Sequence, residues 1–310
     1  MSLLSLLVAL LAEHFYPLNY RIQIFDVYVR YAHFLEGQFN AGQRRHGVLA
    51  WLLGVLPVLA VAGAVYWAAY RLNPVLALLW NAAVLYAVMG FKYFSNASLG
   101  IADALKGRDL NLARDLLGKW RPGGTAELEA TEVARLGIEQ SFNCAHRQMF
   151  GVIAWFVLLS PFGPVGAVLY RACSILARKW GGLDAQESGE FGTFAVRVFD
   201  WLDWVPVRLT AASFAVMGDF EDAVYCWRTQ ASGWIDKAEG VILSSGAGAL
   251  GIRLGEAVHQ DGVVRFRPEL GLGDAADADY MQSAISLIWR ALALWLVILL
   301  MLHLAKWAGG

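Results

Sequence analysis

Apolar residues in this chain come in long runs rather than in alternation. From Gly47 the sequence reads GVLAWLLGVLPVLAVAGAVYWAAY, then RLNP, then VLALLWNAAVLYAVMG to Gly90, and Arg71 is its one charged residue. A helix needs about 20 apolar residues to cross the hydrocarbon of a bilayer. The stretch holds two such runs with Asn73-Pro74 as the breaker, which predicts a transmembrane hairpin over 47–70 and 75–91. Ser283–Leu304 predicts a further spanning helix, with Arg290 near its start able to snorkel. Met149–Leu169 is as apolar, but Ser160-Pro161 and Gly163-Pro164 interrupt it. It predicts either a kinked span or a re-entrant segment, because broken backbone at membrane depth must be satisfied by protein or by a cavity. Met1–Leu18 and Trp201–Met217 are weaker candidates for spans. The first of these lacks the basic start and the small-residue cleavage site of a signal peptide, so a retained helix is expected.

Between these runs lie polar segments. Asn19–His46 carries Arg21, Arg30, Arg44 and Arg45 among aromatic residues and reads as an amphipathic segment on the bilayer surface. The polar region 92–148 holds the basic residues Lys92, Lys106, Arg108, Arg114, Lys119, Arg121, Arg135 and Arg147. Both segments suit the cytoplasmic side by the positive-inside bias. Leu105, Leu112 and Leu116 give helical spacing within Ala97–Trp120. Arg121 to Thr125 (RPGGT) reads as a turn, and a second helix starts at Thr125 with Glu127, Glu129 and Glu132 near its positive end. Gly181–Gly192 reads as a loop, and Asp219–Gln282 is of mixed polarity. The expected fold is all-α: one polytopic membrane helical bundle over 1–310, with amphipathic surface helices.

Composition agrees. Only 16% of the 310 residues are charged and 58% are hydrophobic, where a soluble domain carries about 25% charged residues. A net charge of −1 and the lack of a basic stripe argue against a nucleic-acid partner. Cys144, Cys173 and Cys226 are far apart and lack CxxC spacing, so buried thiols are expected rather than a zinc site or disulfides.

Few residues carry visible chemistry. Glu13 is ionisable at the end of an apolar run, which makes it either a site residue or an interfacial helix end. Arg197, Asp200 and Asp203 are spaced to share one helix face. They form either a structural ion-pair cluster or a polar site able to take a cation. SSGAGALGIRLGEA permits close backbone approach to a helix or a ligand, but it matches neither GxGxxG nor a Walker loop.

Five stretches together resemble one family. They are ALKGRDLNLARDLL (Ala104–Leu117), AHRQMFGVIAWF (Ala145–Phe156), GPVGAVLYRACSILARKWG (Gly163–Gly181), FDWLDWVPVRLTA (Phe199–Ala211) and AGALGIRLGEA (Ala247–Ala257). The chain resembles the superfamily of the cobalamin-biosynthesis membrane protein CobD/CbiB and its relative AmpE, nearly end to end. The synthase branch joins an aminopropanol-phosphate arm to a carboxylate of adenosylcobyric acid as an amide, with ATP and magnesium. Against that branch's AENTxDG, this chain has His146, Arg147 and Phe150 for Glu, Asn and Asp; Ser174 and Ala177 replace Asn and Asp of NTLDS. A gap brings Glu139 near the same signature. Arg121, Tyr170, Arg171, Asp200, Asp203, Pro206 and Arg208 are retained.

Loss of acids at several stretches favours an AmpE-like regulatory or signalling protein of the bacterial inner membrane, with no metal site. Its pocket is expected to be lined by Glu13, Arg121, His146, Arg147, Asp200, Asp203 and Arg208. It would take a corrinoid or a cell-wall fragment, or meet a membrane partner protein. The runner-up is adenosylcobinamide-phosphate synthase, with ATP and Mg. A transporter is disfavoured, because no inverted repeat is visible.

Overall fold

The computed structural model describes residues 2–16, 24–40, 42–181, 190–260 and 262–308. Arg21 and most of the loop expected over 181–192 lie outside the described residues. In chain order the helices begin with α1 (Ser2–Phe15), α2 (Ile24–Phe39), α3 (Arg44–Leu72), α4 (Pro74–Val88), α5 (Phe91–Lys106), α6 (Leu110–Trp120) and α7 (Ala130–Ala145). A π-helical turn, His146–Phe150, leads into α8 (Gly151–Leu158), followed by α9 (Val165–Trp180), α10 (Thr193–Met217), α11 (Phe220–Gln230) and α12 (Lys237–Leu250). Five short strands come next: β1 (Ile252–Gly255), β2 (Val258–Gln260), β3 (Val263–Arg265), β4 (Glu269–Gly271) and β5 (Asp274–Ala275). The last helix is α13 (Ala278–Ala308). The chain divides into two compact units, one of Met1–Tyr93 with Arg147–Trp204 and one of Phe94–His146 with Val205–Gly310.

The first unit holds the predicted hairpin. Three helical stretches of the described residues are long and apolar enough to cross a membrane: Arg44–Leu72, Pro74–Lys106 and Ala278–Lys306. The turn between the first two is built by Asn73, whose side chain accepts the Val75 N–H at 2.8 Å, with Pro74 at the first helical position. α3 runs unbroken through Pro57. A proline removes one N–H from the helical ladder, which strands the carbonyl four residues earlier. That carbonyl belongs to Leu53, and the Tyr31 hydroxyl donates to it at 3.0 Å. The same device recurs in α10, where Pro206 strands the Leu202 carbonyl and the Trp155 indole N–H donates to it at 3.0 Å. In a hydrocarbon setting no water can do this work.

The segment 149–169 is not one long helix. α8 has eight residues, which span about 12 Å at 1.5 Å each, against about 30 Å of hydrocarbon. A 3-10 turn at Ser160–Phe162 and Gly163 at φ +69° reverse the chain into α9. A Cβ on Gly166 would lie 2.0 Å from the Trp155 carbonyl oxygen, and one on Gly151 2.1 Å from the Tyr170 ring. Glycine at both positions lets α8 and α9 touch backbone to ring and backbone to backbone.

The second unit carries the polar region. The spacing within Ala97–Trp120 predicts helix throughout, whereas the structure breaks it after Lys106. Arg108 takes a left-handed conformation (φ +59°), and Asp109 accepts the Leu112 N–H at 3.0 Å to start α6 anew. α7 begins at Ala130, five residues later than expected, because Glu132 folds back onto the Glu129 N–H at 2.8 Å. The small-residue run lies in α12 and serves helix packing. A Cβ on Gly248 would meet the Asp222 carbonyl oxygen of α11 at 2.5 Å, and one on Gly246 the Phe142 ring of α7 at 2.7 Å. Gly251, at φ +64°, ends α12 and turns the chain into β1.

β1 pairs antiparallel with β4 (Arg253↔Gly271) and parallel with β5, while β2 and β3 form a hairpin (Val258↔Arg265). These strands are two to four residues long, too short for alternation to show in the sequence. The all-α class stands, with this small β insert before α13. The three cysteines are buried free thiols.

Candidate functional site

The most heavily charged interior of the second unit lies on one face of α7. Glu132, Arg135 and Glu139 stand at i, i+3 and i+7 and are each 5–6% exposed. Charges this buried must be paired and hydrogen-bonded. Apart from the Glu129 N–H on Glu132, their hydrogen-bond partners among the described residues come from the β insert, more than 110 positions further along the chain. Arg267 donates Nη1 and Nη2 to the two Glu139 oxygens at 2.7 and 3.1 Å, a fork on a carboxylate. The Gly255 N–H adds a third donor to Glu139 at 3.0 Å. Arg267 is itself fixed by the Gly255 carbonyl at 2.7 Å and the Glu256 carbonyl at 3.1 Å, and lies 5.4 Å over the Trp234 ring.

Arg135 pairs with the Glu256 carboxylate and donates to the Ala257 carbonyl at 2.6 Å. Glu256 takes the left-handed conformation, φ +57°, which is strained for a residue with a Cβ. Arg135 on one side and Arg253 at 3.7 Å on the other hold it there. Glu132 accepts both the backbone N–H and the ring Nδ1 of His259 at 3.0 Å. Burial acts to raise the Glu132 pKa, but the N–H donors of Glu129 and His259 outweigh it and hold the carboxyl below the usual range. The exposed His259 ring is held above the usual imidazole value by the same carboxylate.

Arg121 belongs to this neighbourhood. It ends α6 and opens the RPGGT turn, and burial pulls its pKa down while Glu139 pulls it up. Arg267, Glu239 and Arg265 also act on it.

A second buried polar pair lies in the first unit. The Tyr170 hydroxyl donates to Asp203 Oδ1 at 2.7 Å, with Tyr170 0% and Asp203 2% exposed. Arg147 and Arg171 act electrostatically on Tyr170, and the Phe199 ring packs 5.5 Å from it.

The residues singled out from the sequence fall in different places. Arg147 and Asp203 converge on Tyr170. Asp200 is exposed and Asp203 buried, so the two carboxylates lie in different surroundings. Glu13 is buried and accepts the Lys92 N–H at 3.0 Å at the start of α5, as a helix cap does. His146 is buried, with Nδ1 3.0 Å from Thr210 Oγ1. The Thr210 hydroxyl hydrogen goes to the Pro206 carbonyl, which makes the His146 ring the donor. Arg208 is half-buried on α10, and Arg121 alone of the seven joins the α7 cluster. Glu132, Arg135, Glu256, His259 and Arg267 were missed. The signal available was three charges at i, i+3 and i+7 on an otherwise apolar face.

Among the described residues no group of three or more His, Cys, Asp or Glu could hold a metal ion. The cluster carboxylates are engaged by guanidinium and N–H donors. A magnesium ion that keeps its waters and enters on nucleotide phosphates needs only one or two carboxylates. The cationic side of the cluster suits phosphate.

The long apolar helices define a multi-pass membrane protein. The chain belongs to the CobD/CbiB family: the family model described as CobD/Cbib protein matches residues 6–288. A relative from Stutzerimonas stutzeri named cobalamin biosynthesis protein CobD is 35% identical over 301 residues, covering 96% of each chain. Relatives of the same name from Chromobacterium violaceum and Yersinia enterocolitica are 34% identical over 74% of this chain (72% of theirs) and 27% identical over 78% (79% of theirs). No solved structure matches. These relatives overturn the AmpE-like regulatory reading. That reading counted acids position by position around His146, Arg147 and Phe150, while Glu139 and Glu132 stand about two and four turns before His146, buried and paired on α7.

Proposed function

We propose that this chain is an adenosylcobinamide-phosphate synthase of cobalamin biosynthesis, forming an amide between adenosylcobyric acid and an aminopropanol phosphate. The observation that carries the reading is the relative named cobalamin biosynthesis protein CobD, which pairs with this chain over 96% of both lengths. The buried cluster of α7 and the β insert supports it. Amide formation on a polyanionic substrate calls for fixed cations, and this cluster fixes Arg267 by its fork on Glu139 and Arg135 between Glu256 and the Ala257 carbonyl. ATP, when bound, supplies the free energy that makes the carboxylate reactive. The chain sits in the bacterial inner membrane in this reading, with the lipid bilayer and a corrinoid as its partners. The basic residues of 92–148 favour the cytoplasmic side for the polar region, where ATP is at hand.

The test is direct. Full-length protein purified in detergent is incubated with ATP, magnesium, adenosylcobyric acid and aminopropanol phosphate, and the corrinoid product is read by mass spectrometry. A mass gain equal to the amine minus water supports the reading. Folded protein that leaves the corrinoid unchanged while a CobD relative converts it overturns the reading.

A further inference from the structure

Three guanidinium N–H groups in the second unit are buried without a hydrogen-bond partner among the described residues: Arg121 Nη1, Arg135 Nε and Arg253 Nε. Two of these arginines are otherwise anchored, Arg135 by Glu256 and Ala257 and Arg253 by Glu256. Arg121 is different. The carboxylate nearest in electrostatic effect, Glu139, is already taken by the Arg267 fork and the Gly255 N–H. Its Nη1 therefore keeps a buried N–H with no acceptor among the described residues. A buried donor without an acceptor is costly, so an anion from outside the chain is the natural complement.

The turn that carries Arg121 is built to stay in place. Gly123 has φ +118°, and a Cβ there would lie 2.0 Å from the Gln260 side-chain nitrogen of β2. The Glu127 carboxylate accepts the Gly262 N–H at 3.0 Å and ties the turn to the β2–β3 hairpin a second time. Gln260 is itself buried at 8% exposure. The open N–H of Arg121 thus sits on a turn held tightly against the strand that carries Gln260.

We propose that Arg121 anchors a phosphoryl-binding subsite at the α6–α7 turn. The bound group is a phosphate ester, either the monoester of the amine substrate or a terminal phosphate of the nucleotide. A guanidinium presents a fork to phosphate oxygens and pairs with them by charge-assisted hydrogen bonds. Naming these two sources rests on the synthase reading.

The test uses full-length protein in detergent and three probes: aminopropanol phosphate, unphosphorylated aminopropanol and ATP. Calorimetry is run on wild type, Arg121→Gln and Arg121→Lys. Arg121→Gln weakens one phosphorylated probe by about ten- to a hundredfold, the loss expected for charge-assisted hydrogen bonds. The unphosphorylated amine is unaffected. Loss confined to aminopropanol phosphate assigns the monoester, and loss confined to ATP assigns the nucleotide. Unchanged affinity for both overturns the subsite. Circular dichroism and unfolding midpoints confirm that the variants fold. Should Arg121→Gln not fold, Arg121→Lys, which keeps the charge and loses the fork, decides: a loss near tenfold supports the subsite and no loss overturns it. The two readings fail separately. Wild type that makes the amide, with KM values for both phosphates untouched by Arg121→Gln, leaves the synthase and removes the subsite. Phosphate binding lost in Arg121→Gln without amide formation in wild type leaves the subsite and removes the synthase.

Discussion

The α3–α4 hairpin and the face that α7 turns to the β insert meet the same demand by opposite means. Each takes polar groups out of water and has to satisfy them. In the hairpin the groups are neutral carbonyls, and the donors are aromatic side chains: Tyr31 on Leu53 and, by the same logic in α10, Trp155 on Leu202. Near α7 the groups are full charges, and the partners are guanidiniums and strand N–H groups such as Arg267 and Gly255. Side-chain hydrogen bonds between membrane helices are worth only about 0.6 kcal/mol each on average. A buried charge without its partner costs several times that. The apolar region is therefore tolerant of change, while the charged region is a place where single substitutions are severe.

The largest expected effect breaks the charged side. Glu139→Ala leaves the Arg267 fork without its acceptor and lowers unfolding stability by about 3–5 kcal/mol, read from denaturant unfolding in detergent. Removing both partners, as Glu139→Ala with Arg267→Met, costs clearly less than the sum of the single changes. A Glu139→Ala loss under about 1 kcal/mol would place this pair with exposed ion pairs and erase the contrast. Next comes the matching break on the apolar side. Tyr31→Phe removes only the hydroxyl over Leu53 and is expected to cost roughly 0.5–1 kcal/mol in the same assay. A cost equal to that of Glu139→Ala would mean that neutral and charged groups are held alike.

The smallest effect is tied to pH. Hydrogen bonding to Glu132 raises the His259 pKa in the fold above the ordinary 6.5. The protonated ring therefore stabilises fully below the ordinary imidazole value, and that contribution fades as pH rises through the raised one. For Glu132, burial acts upward, but the N–H donors win and hold its pKa below the ordinary 4.5. Its share is present above the ordinary carboxylate value and is lost as pH falls through the lowered one. Thermal unfolding of His259→Gln should thus differ most from wild type between about pH 5 and 6.5, and the two curves should meet in alkaline buffer. A difference that persists unchanged at high pH would show that the ring acts by packing.

Much of the apolar region was legible along the chain. Asn73-Pro74 marked a turn because a proline lacks the N–H that a continuing helix needs, and Asn73 does cap the next helix. The long runs marked helices because only hydrogen-bonded backbone survives in hydrocarbon. Pro57 shows where such reasoning stops: a proline inside an apolar run looks the same whether the helix ends or continues, and α3 continues because Tyr31 stands over the freed carbonyl. The candidate site was less legible. Glu139 reads as one more helix-surface acid until Arg267, 128 positions away, is brought to it. Asp200 and Asp203 have the spacing of a pair, yet packing buries one and exposes the other.

By itself, then, the order of residues determined the class of molecule, the hairpin and the family, because hydrocarbon thickness and backbone hydrogen bonding act on contiguous stretches. Only the tertiary structure decided which charges meet: Glu132, Arg135 and Glu139 against Glu256, His259 and Arg267, with one Arg121 N–H left without an acceptor among the described residues. Electrostatic partners are chosen by distance in space after folding, and sequence separation carries no record of that distance.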